Sequence, residues 1–376
     1  MEKQRFSVTY SITTETSTEK EARHKAFDIC VEQTVEFPYE LITDTFIREE
    51  VVGRFEAFKR DAKDKRRFIV EISYHNHTVG KELSQFLNVL FGNTSLKPGI
   101  KIESIRLSGA LAGYFKGPRF GISGVKKLTG SRSAPLLCSA IKPMGQSPRE
   151  LASLAEKFAL GCVDIIKDDH GLSDQPFAPF KARIAAVSEA VRNAVKKTGK
   201  KTLYAPNVTA DTTDEVMARA RFAKKSGASA LVISGALAGF GTVRRLSTDK
   251  SLNLPVLLHP AFTGSFTAHS ESGISHFALF GQLARICGAD ISIFPNFGGR
   301  FSFSKEACKA VMAGCKTPMH SIKPALPGPG GGMSVESMRE MKKFYGSDAV
   351  FLIGGGLFRH KDGITGSCRE VRERLG

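Results

Sequence analysis

The sequence lacks any run of about 18 uninterrupted apolar residues, so no transmembrane helix and no membrane contact are expected. Its first residues, MEKQRFSVTYSITTE, are charged and strand-like and lack the apolar core of a signal peptide, which makes a cytoplasmic location the expectation. Cysteine pairing is missing too. Cys30, Cys138, Cys162, Cys287, Cys308, Cys315 and Cys368 are scattered, with no CxxC among them. That spacing argues against a disulfide framework and against a structural zinc site. It suits small, buried, apolar residues. No sequence repeat and no low-complexity tail is evident.

What is present fits a soluble globular protein. The chain has 376 residues, 41% hydrophobic and 24% charged, enough for a barrel plus one smaller domain. The formal net charge of +17 raises nucleic-acid binding as a question. The basic residues, however, stand singly along helical stretches such as KARIAAVSEAVRNAVKK, the pattern of a solvated helix face. No nucleic-acid partner is expected. A basic protein's field better serves a small anionic substrate.

From residue 134 onward, apolar runs alternate with amphipathic helical stretches. The predicted strands span 134–143, 162–169, 202–209, 230–237, 255–262, 290–296, 319–327 and 348–356. Such alternation means a parallel sheet with crossover helices. Eight units in about 240 residues match a closed (β/α)8 TIM barrel better than an open sheet. Residues 1–130 differ: strand patterns RFSVTYSI, RRFIVEISYH and KIESIRLSG mix with two helical stretches. The expected fold class is α/β, with a smaller α+β, ferredoxin-like domain over 1–130 and the barrel over 131–376.

Barrel enzymes keep their chemistry at the C-terminal ends of strands. Here those ends read Lys142, Lys167-Asp168-Asp169-His170, Asn207, His259, Asn296, Lys323 and a Gly-rich segment. The segment GCVDIIKDDHGLSDQPF, 161–177, is the strongest signal. Carboxylates at a strand end hold hard divalent cations. A desolvated, neutral lysine beside them can take up CO2 as a carbamate and add an oxygen ligand. The alternative is a lysine paired with Asp168. Two further glycine runs, PGPGGGM at 327–333 and IGGG at 353–356, fall after strands seven and eight, where barrels bind phosphate. Consecutive glycines let backbone N–H groups approach an anion. Ser337, with Glu340 three positions on, has the pattern of a helix cap after the first run.

These motifs together resemble the RuBisCO large-chain family, in particular its form IV or RuBisCO-like proteins. The signature G-x-D-x-x-K-D-D-E of strand two is matched at Lys167 and Asp169, with His170 in place of the Glu. SAIKPMG, with Lys142, LFGN, with Asn93, FKGPRFG, LLHPAF, with His259, PGPGGGM and LIGGG extend the match over nearly the whole chain. The resemblance implies carbamylated Lys167, CO2 being taken up as the lysine carbamate, and a metal held by Lys167, Asp169 and His170. It implies phosphate binding at Gly331, Gly332, Gly354 and Gly355. It also implies a homodimer with shared sites, in which Asn93 and either Glu32 or Glu36 reach the neighbouring subunit.

The departures bear on activity. Met144 stands for the second lysine of the strand-one motif, Ile293 for a strand-six His, Pro260 for the Arg after the strand-five His, and Arg300 for the mobile loop lysine. CO2 fixation is therefore not expected, and the lost Arg favours a monophosphate. His170 admits three readings: ligand to a metal other than strict Mg2+, partner of a metal-bound water, or general acid-base. The cofactor is Mg2+, Mn2+ or another divalent metal. The combination EQTVEFPYEL, IKDDHGLSDQPFAPF, HPAF and FPNFGGRFSFS resembles the branch acting on 3-oxo-isoapionate 4-phosphate. The leading expectation is therefore decarboxylation of such a phosphorylated sugar acid. In it Lys142 protonates the enediolate, and His259 and Arg300 contact substrate. The alternatives are a transcarboxylase/hydrolase on the same substrate, an enolase or isomerase of methylthio-sugar phosphates, and a non-catalytic ligand-binding remnant.

Overall fold

A computed structural model of the chain describes residues 4–131, 133–301, 303–358 and 362–376. The N-terminal sheet contains β1 (Arg5–Thr13), β2 (Arg54–Arg60), β3 (Arg67–His75) and β4 (Ile100–Arg106), with helices Glu19–Glu32 and Leu83–Phe91 between them. β1 pairs antiparallel with both β3 and β4, and β2 pairs with β3, which gives the order β4-β1-β3-β2. A βαββαβ chain with that order is the ferredoxin-like arrangement. β2, RFEAFKR, has no predicted strand, because its mostly exposed side chains carry no apolar alternation.

The barrel strands are β5 (Leu136–Ile141), β6 (Ile165–Asp168), β7 (Leu203–Ala205), β8 (Leu231–Ser234), β9 (Val256–His259), β11 (Ile291–Pro295), β12 (Leu326–Gly330) and β13 (Val350–Leu352). Between β9 and β11, the two-residue β10 (Gly273–Ile274) leaves the barrel to pair with β4. The parallel sheet runs β7-β6-β5-β13-β12-β11-β9-β8. The Asn207–Val232 bridge brings its two ends together, with Val208 N–H donating to Val232 O at 2.9 Å. The lumen is packed by Leu136, Cys138, Ile165, Leu203, Val232 and Ile291, one apolar cluster distinct from the larger core outside it. Both faces of each strand are therefore buried, which is why the sequence shows continuous apolar runs. Helix Gly121–Thr129 sends Val125 into the same lumen cluster, and Asp290 accepts from the N–H groups of Phe120 and Gly121 at 2.7 and 2.8 Å.

One strand is displaced from its predicted position. The seventh runs Leu326–Gly330 rather than over 319–327. The buried Arg285 guanidinium takes the carbonyls of Gly314, Thr317, Ile322 and Lys323, so this segment wraps a cation instead of joining a ladder. His320 there has φ +50°, incompatible with a strand. Lys323 thus precedes its strand, at the end opposite the expected one, and donates to Arg119 O at 2.6 Å. Among the described residues, no helix is long and apolar enough to cross a membrane.

Candidate active site

Strand alternation sorts the polar residues at the heads of the strands. On β6, Ile165 faces the lumen and Ile166 the outer core, so Lys167 faces the lumen and Asp168 the helices. The contacts agree. Asp168 is fully buried and accepts from Arg183 Nε at 3.2 Å, Tyr204 Oη at 2.7 Å and the Asn207 N–H at 3.1 Å. Arg183 also donates to the carbonyls of Ala178 and Ser173, at 2.6 and 2.7 Å. Arg183 belongs to KARIAAVSE, read from sequence as a solvated face, yet it is completely buried. An isolated buried carboxylate needs such a partner, which is the reason for the exception.

Lys167 is 1% exposed, and its Nζ donates to the backbone carbonyl of Asp168 at 2.7 Å, not to a carboxylate. Pairing with the Asp168 side chain is thereby overturned, since that carboxylate is committed to Arg183 and Tyr204. Burial pushes the Lys167 ammonium down from its ordinary range. Asp169 stands next to it. Burial pushes its carboxyl up, but His170 and Lys167 outweigh that and hold it well below the usual carboxylate range. His170 Nδ1 lies 3.4 Å from Asp169 Oδ2. Its exposed ring stacks on His259, with centroids 4.2 Å apart and planes at 11°.

His259 ends β9. Burial, then the charges of Lys167 and His170, pushes its imidazole down to about 2. Its Nδ1 accepts from the Ala261 N–H at 3.2 Å, so a neutral ring carries its proton on Nε2. Lys142, at the head of β5, is half-buried, and a Cβ built on Gly354 would sit 3.1 Å from its Nζ. The amine therefore touches one of the glycine runs. Gly331 and Gly332 have φ of +85° and +68°, which favour glycine. A Cβ on Gly332 would collide with Gly299 at 2.5 Å, so the loop after β11 leans on this pair. Gly355 opens the short 3-10 turn Gly355–Phe358. The expected cap does not form: the Ser337 hydroxyl turns back to Ser334 O at 3.0 Å.

Lys142, Lys167, Asp169, His170 and His259 therefore converge on one mouth, flanked by Gly331, Gly332, Gly354 and Gly355. Arg300 follows Gly299 in the leaning loop; it is exposed and lies over the Phe301 ring at 5.1 Å. Asn207 and Asn296 serve the scaffold instead. Asn207 donates to the carbonyls of His170 and Leu172, which shapes the loop after β6. Asn296 accepts from Tyr345 Oη at 2.6 Å on the outer side of β11.

The family described as ribulose bisphosphate carboxylase large chain, catalytic domain, matches residues 121–299. Ribulose bisphosphate carboxylase-like protein 1 of Rhodopseudomonas palustris is 37% identical, over 96% of this chain and 95% of its own. The chain belongs to the RuBisCO large-chain family. The 5-methylthioribulose-1-phosphate isomerase of Rhodospirillum rubrum is 36% identical to this RuBisCO-like chain, over 96% of it and 93% of its own length. The crystal structure of a Rubisco-like protein from Rhodopseudomonas palustris superposes with a TM-score of 0.86 at 34% identity, covering 99% of this chain and 97% of that one.

The family's departures in this RuBisCO-like chain cluster at the same mouth. Met144 is half-exposed, with its methyl 2.6 Å from a Cβ position on Gly171. Ile293 and Pro260 line a recess beside His259. In the N-terminal domain, Asn93 Nδ2 donates to Glu32 Oε1 at 3.0 Å, so Glu32 rather than Glu36 accompanies Asn93. Among the described residues, neither hydrogen-bonds to the barrel.

Proposed function

We propose that the protein is a metal-dependent enzyme that moves a proton at the carbon beside the keto group of a phosphorylated keto-sugar. In this reading it forms an enediolate, a step that an isomerase of a methylthio-sugar phosphate, such as the relative to which it is similar, can use. The observation that carries it is the convergence of a buried lysine, a half-buried lysine and two glycine pairs on one barrel mouth. The backbone N–H groups of Gly331, Gly332, Gly354 and Gly355 hold the phosphate. Lys142, touching Gly354, stands beside the anchored end and exchanges the proton with the adjacent carbon. His259, neutral and carrying its proton on Nε2, donates to a substrate oxygen without adding charge.

The residues fit a divalent cation once Lys167 is carbamylated. Among the described residues no three His, Cys, Asp or Glu side chains form a ready cage. The desolvated Lys167 amine is suited to take up CO2, and the carbamate oxygens join Asp169 and His170 as donors. Mg2+ or Mn2+ held by these residues would supply positive charge beside a substrate keto oxygen.

A second reading, decarboxylation of a phosphorylated β-keto sugar acid such as 3-oxo-isoapionate 4-phosphate, is favoured by His170. Imidazole in place of the family's Glu removes one negative charge that would repel a substrate carboxylate. One experiment separates the two: proton NMR in D2O with Mg2+, bicarbonate and each substrate. Deuterium entering 5-methylthioribulose 1-phosphate beside the keto group supports the first reading. Loss of CO2 from the sugar acid, with the methylthio compound inert, replaces it with the second. Inertness toward both sinks the catalytic proposal.

The site is proposed to be completed by a second copy of the chain. Large exposed apolar side chains occupy two places. Phe27, Phe37, Leu41, Phe46, Phe55 and Leu96 lie on the N-terminal domain, and Met144, Phe177, Leu237, Phe262, Phe301 and Phe358 lie on segments that follow the barrel strands. Such patches mark contact surfaces. If Asn93 acts in trans, mixing inactive N93A and K167M chains restores about a quarter of the wild-type sites, half the dimers being mixed with one intact site each. No recovery on mixing argues for sites built within one chain.

A further inference from the structure

The end of the barrel opposite the catalytic residues carries a cleft of its own. Helix Gly121–Thr129, which sends Val125 into the lumen, supplies Ser123, Lys126 and Lys127 to its wall. Ser131, Lys201 and Asp348 complete it, each a few residues before a barrel strand: β5, β7 and β13 in turn. Lys142, Lys167 and His259 stand where β5, β6 and β9 finish, so the two sites lie at opposite ends of the sheet. The cleft leaves about 690 Å3 open to water, which is room for a small molecule.

Its walls carry an excess of positive charge. Among the described residues, Asp348 is the one acid on them, and it is already served. Buried Lys126 donates to Asp348 Oδ1 at 2.7 Å, and Lys316 Nζ approaches Oδ2 at 4.0 Å. Lys127 and Lys201 are exposed, and among the described residues no ion pair holds either. Gly130 ends the helix with φ +76°, and a Cβ there would lie 3.8 Å from Lys201 Cδ. The Lys201 stem therefore lies along this turn, beside the helix end that carries the other two lysines. Three lysines against one aspartate leave two positive charges over. The helix C-terminus, roughly half a negative charge, lowers that excess without cancelling it. Last-turn lysines such as Lys126 and Lys127 answer that dipole as scaffold; Lys201 belongs to another segment and has no such task.

We propose that this cleft binds a small polyanion with two or more phosphate groups, a free diphosphate or the diphosphate of a nucleotide, held between Lys127 and Lys201. Lysines are separate point charges, which suits two phosphate groups set apart better than one planar carboxylate. The exposed Ser123 hydroxyl is a further donor on the same wall. The Ser131 hydroxyl donates to Ala134 O at 3.0 Å and shapes the turn instead. The net charge of +17 draws such an anion toward the protein. The proposal concerns a second site and does not depend on the keto-sugar phosphate reading of the mouth.

Calorimetric titration of the full chain at low salt tests it, with sodium diphosphate, ADP and orthophosphate as probes. Diphosphate should bind about fivefold more tightly than orthophosphate, the gain of one further exposed ion contact. Lys127→Gln and Lys201→Gln should each weaken diphosphate by about threefold to fivefold, with the melting temperature unchanged. Asp348→Asn should tighten it by a similar factor, since a negative wall charge is gone. Lys20→Gln, an exposed lysine of the N-terminal domain, and Lys142→Met, at the mouth, should leave diphosphate affinity as it was. ADP matching diphosphate upholds the site and points to a nucleotide; ADP binding far more weakly upholds it for the free anion. Several results overturn it. Diphosphate affinity may be untouched by both cleft variants, or no better than that of orthophosphate. An equal loss in Lys20→Gln would assign the binding to net charge, and a loss in Lys142→Met would assign it to the mouth.

Discussion

Lys167 and Asp168 are neighbours on β6, both buried, and they are served in opposite ways. Asp168 faces the outer helices and has a partner for each of its oxygens: Arg183, Tyr204 and a backbone N–H. Lys167 faces the lumen and has one backbone carbonyl. Burial raises the Asp168 pKa and lowers that of Lys167, each toward its neutral form. On the outer face the chain answers with an ion pair and hydrogen bonds. On the inner face it leaves the amine a single carbonyl partner. A charge whose partners are all supplied belongs to the scaffold, and one left short of partners is available to a ligand.

Two substitutions of the same kind sharpen this contrast. Lys167→Met keeps volume and removes the amine. Turnover should fall by roughly a thousandfold or more, since the metal donor and its charge stabilisation go together. The melting temperature should hold or rise, because an unneeded buried amine has gone. Wild-type turnover in this variant would end the carbamate proposal. Arg183→Met should do the reverse. It strands Asp168 and the carbonyls of Ser173 and Ala178, and should cost about 3–5 kcal/mol of stability in urea unfolding. Unchanged stability there would mean that the outer network does not carry the head of β6.

The same alternation explains how far the sequence could be read. Apolar runs ending in polar residues located seven of the eight barrel strands, the seventh being displaced, and the lumen-facing residues Lys142, Lys167 and His259 ended such runs. Direction was harder. Asn207, Asn296 and Lys323 also follow apolar stretches, but one braces a loop, one caps an outer contact and one lies at the other end of its strand. Period-two counting from Ile165 separates Asp168 from Lys167 and Asp169, and was the signal available for β6. No comparable signal marked Arg183 or Arg285, because a buried cation amid helical Lys and Arg reads like any solvated one. The recess beside His259 was illegible because its walls come from separate segments: the helical turns after β8, β9 with its turn, the helical segment at 277–283, and β11.

The contrast should also hold at the opposite end of the barrel, with a smaller effect. Asp290 is fully buried and accepts from Phe120, Gly121 and Val256 N–H groups. Burial pushes its carboxyl up to about 6 despite them. A folded pKa above the unfolded value of about 3.9 means that the folded state binds more protons between those two values. The stability this group contributes therefore falls as pH rises from about 4 to 6, and levels off above. Asp290→Asn keeps an acceptor for Phe120 and Gly121 but presents an NH2 group to Val256. At pH 4.5 it should cost about 1–3 kcal/mol. At pH 7 the cost should be smaller, by on the order of 2 kcal/mol, because the variant also removes a buried charge. Urea unfolding of both proteins at the two pH values checks the sign. A cost that grows with pH would show that the three N–H groups outweigh burial, and that this aspartate is held as a charge after all.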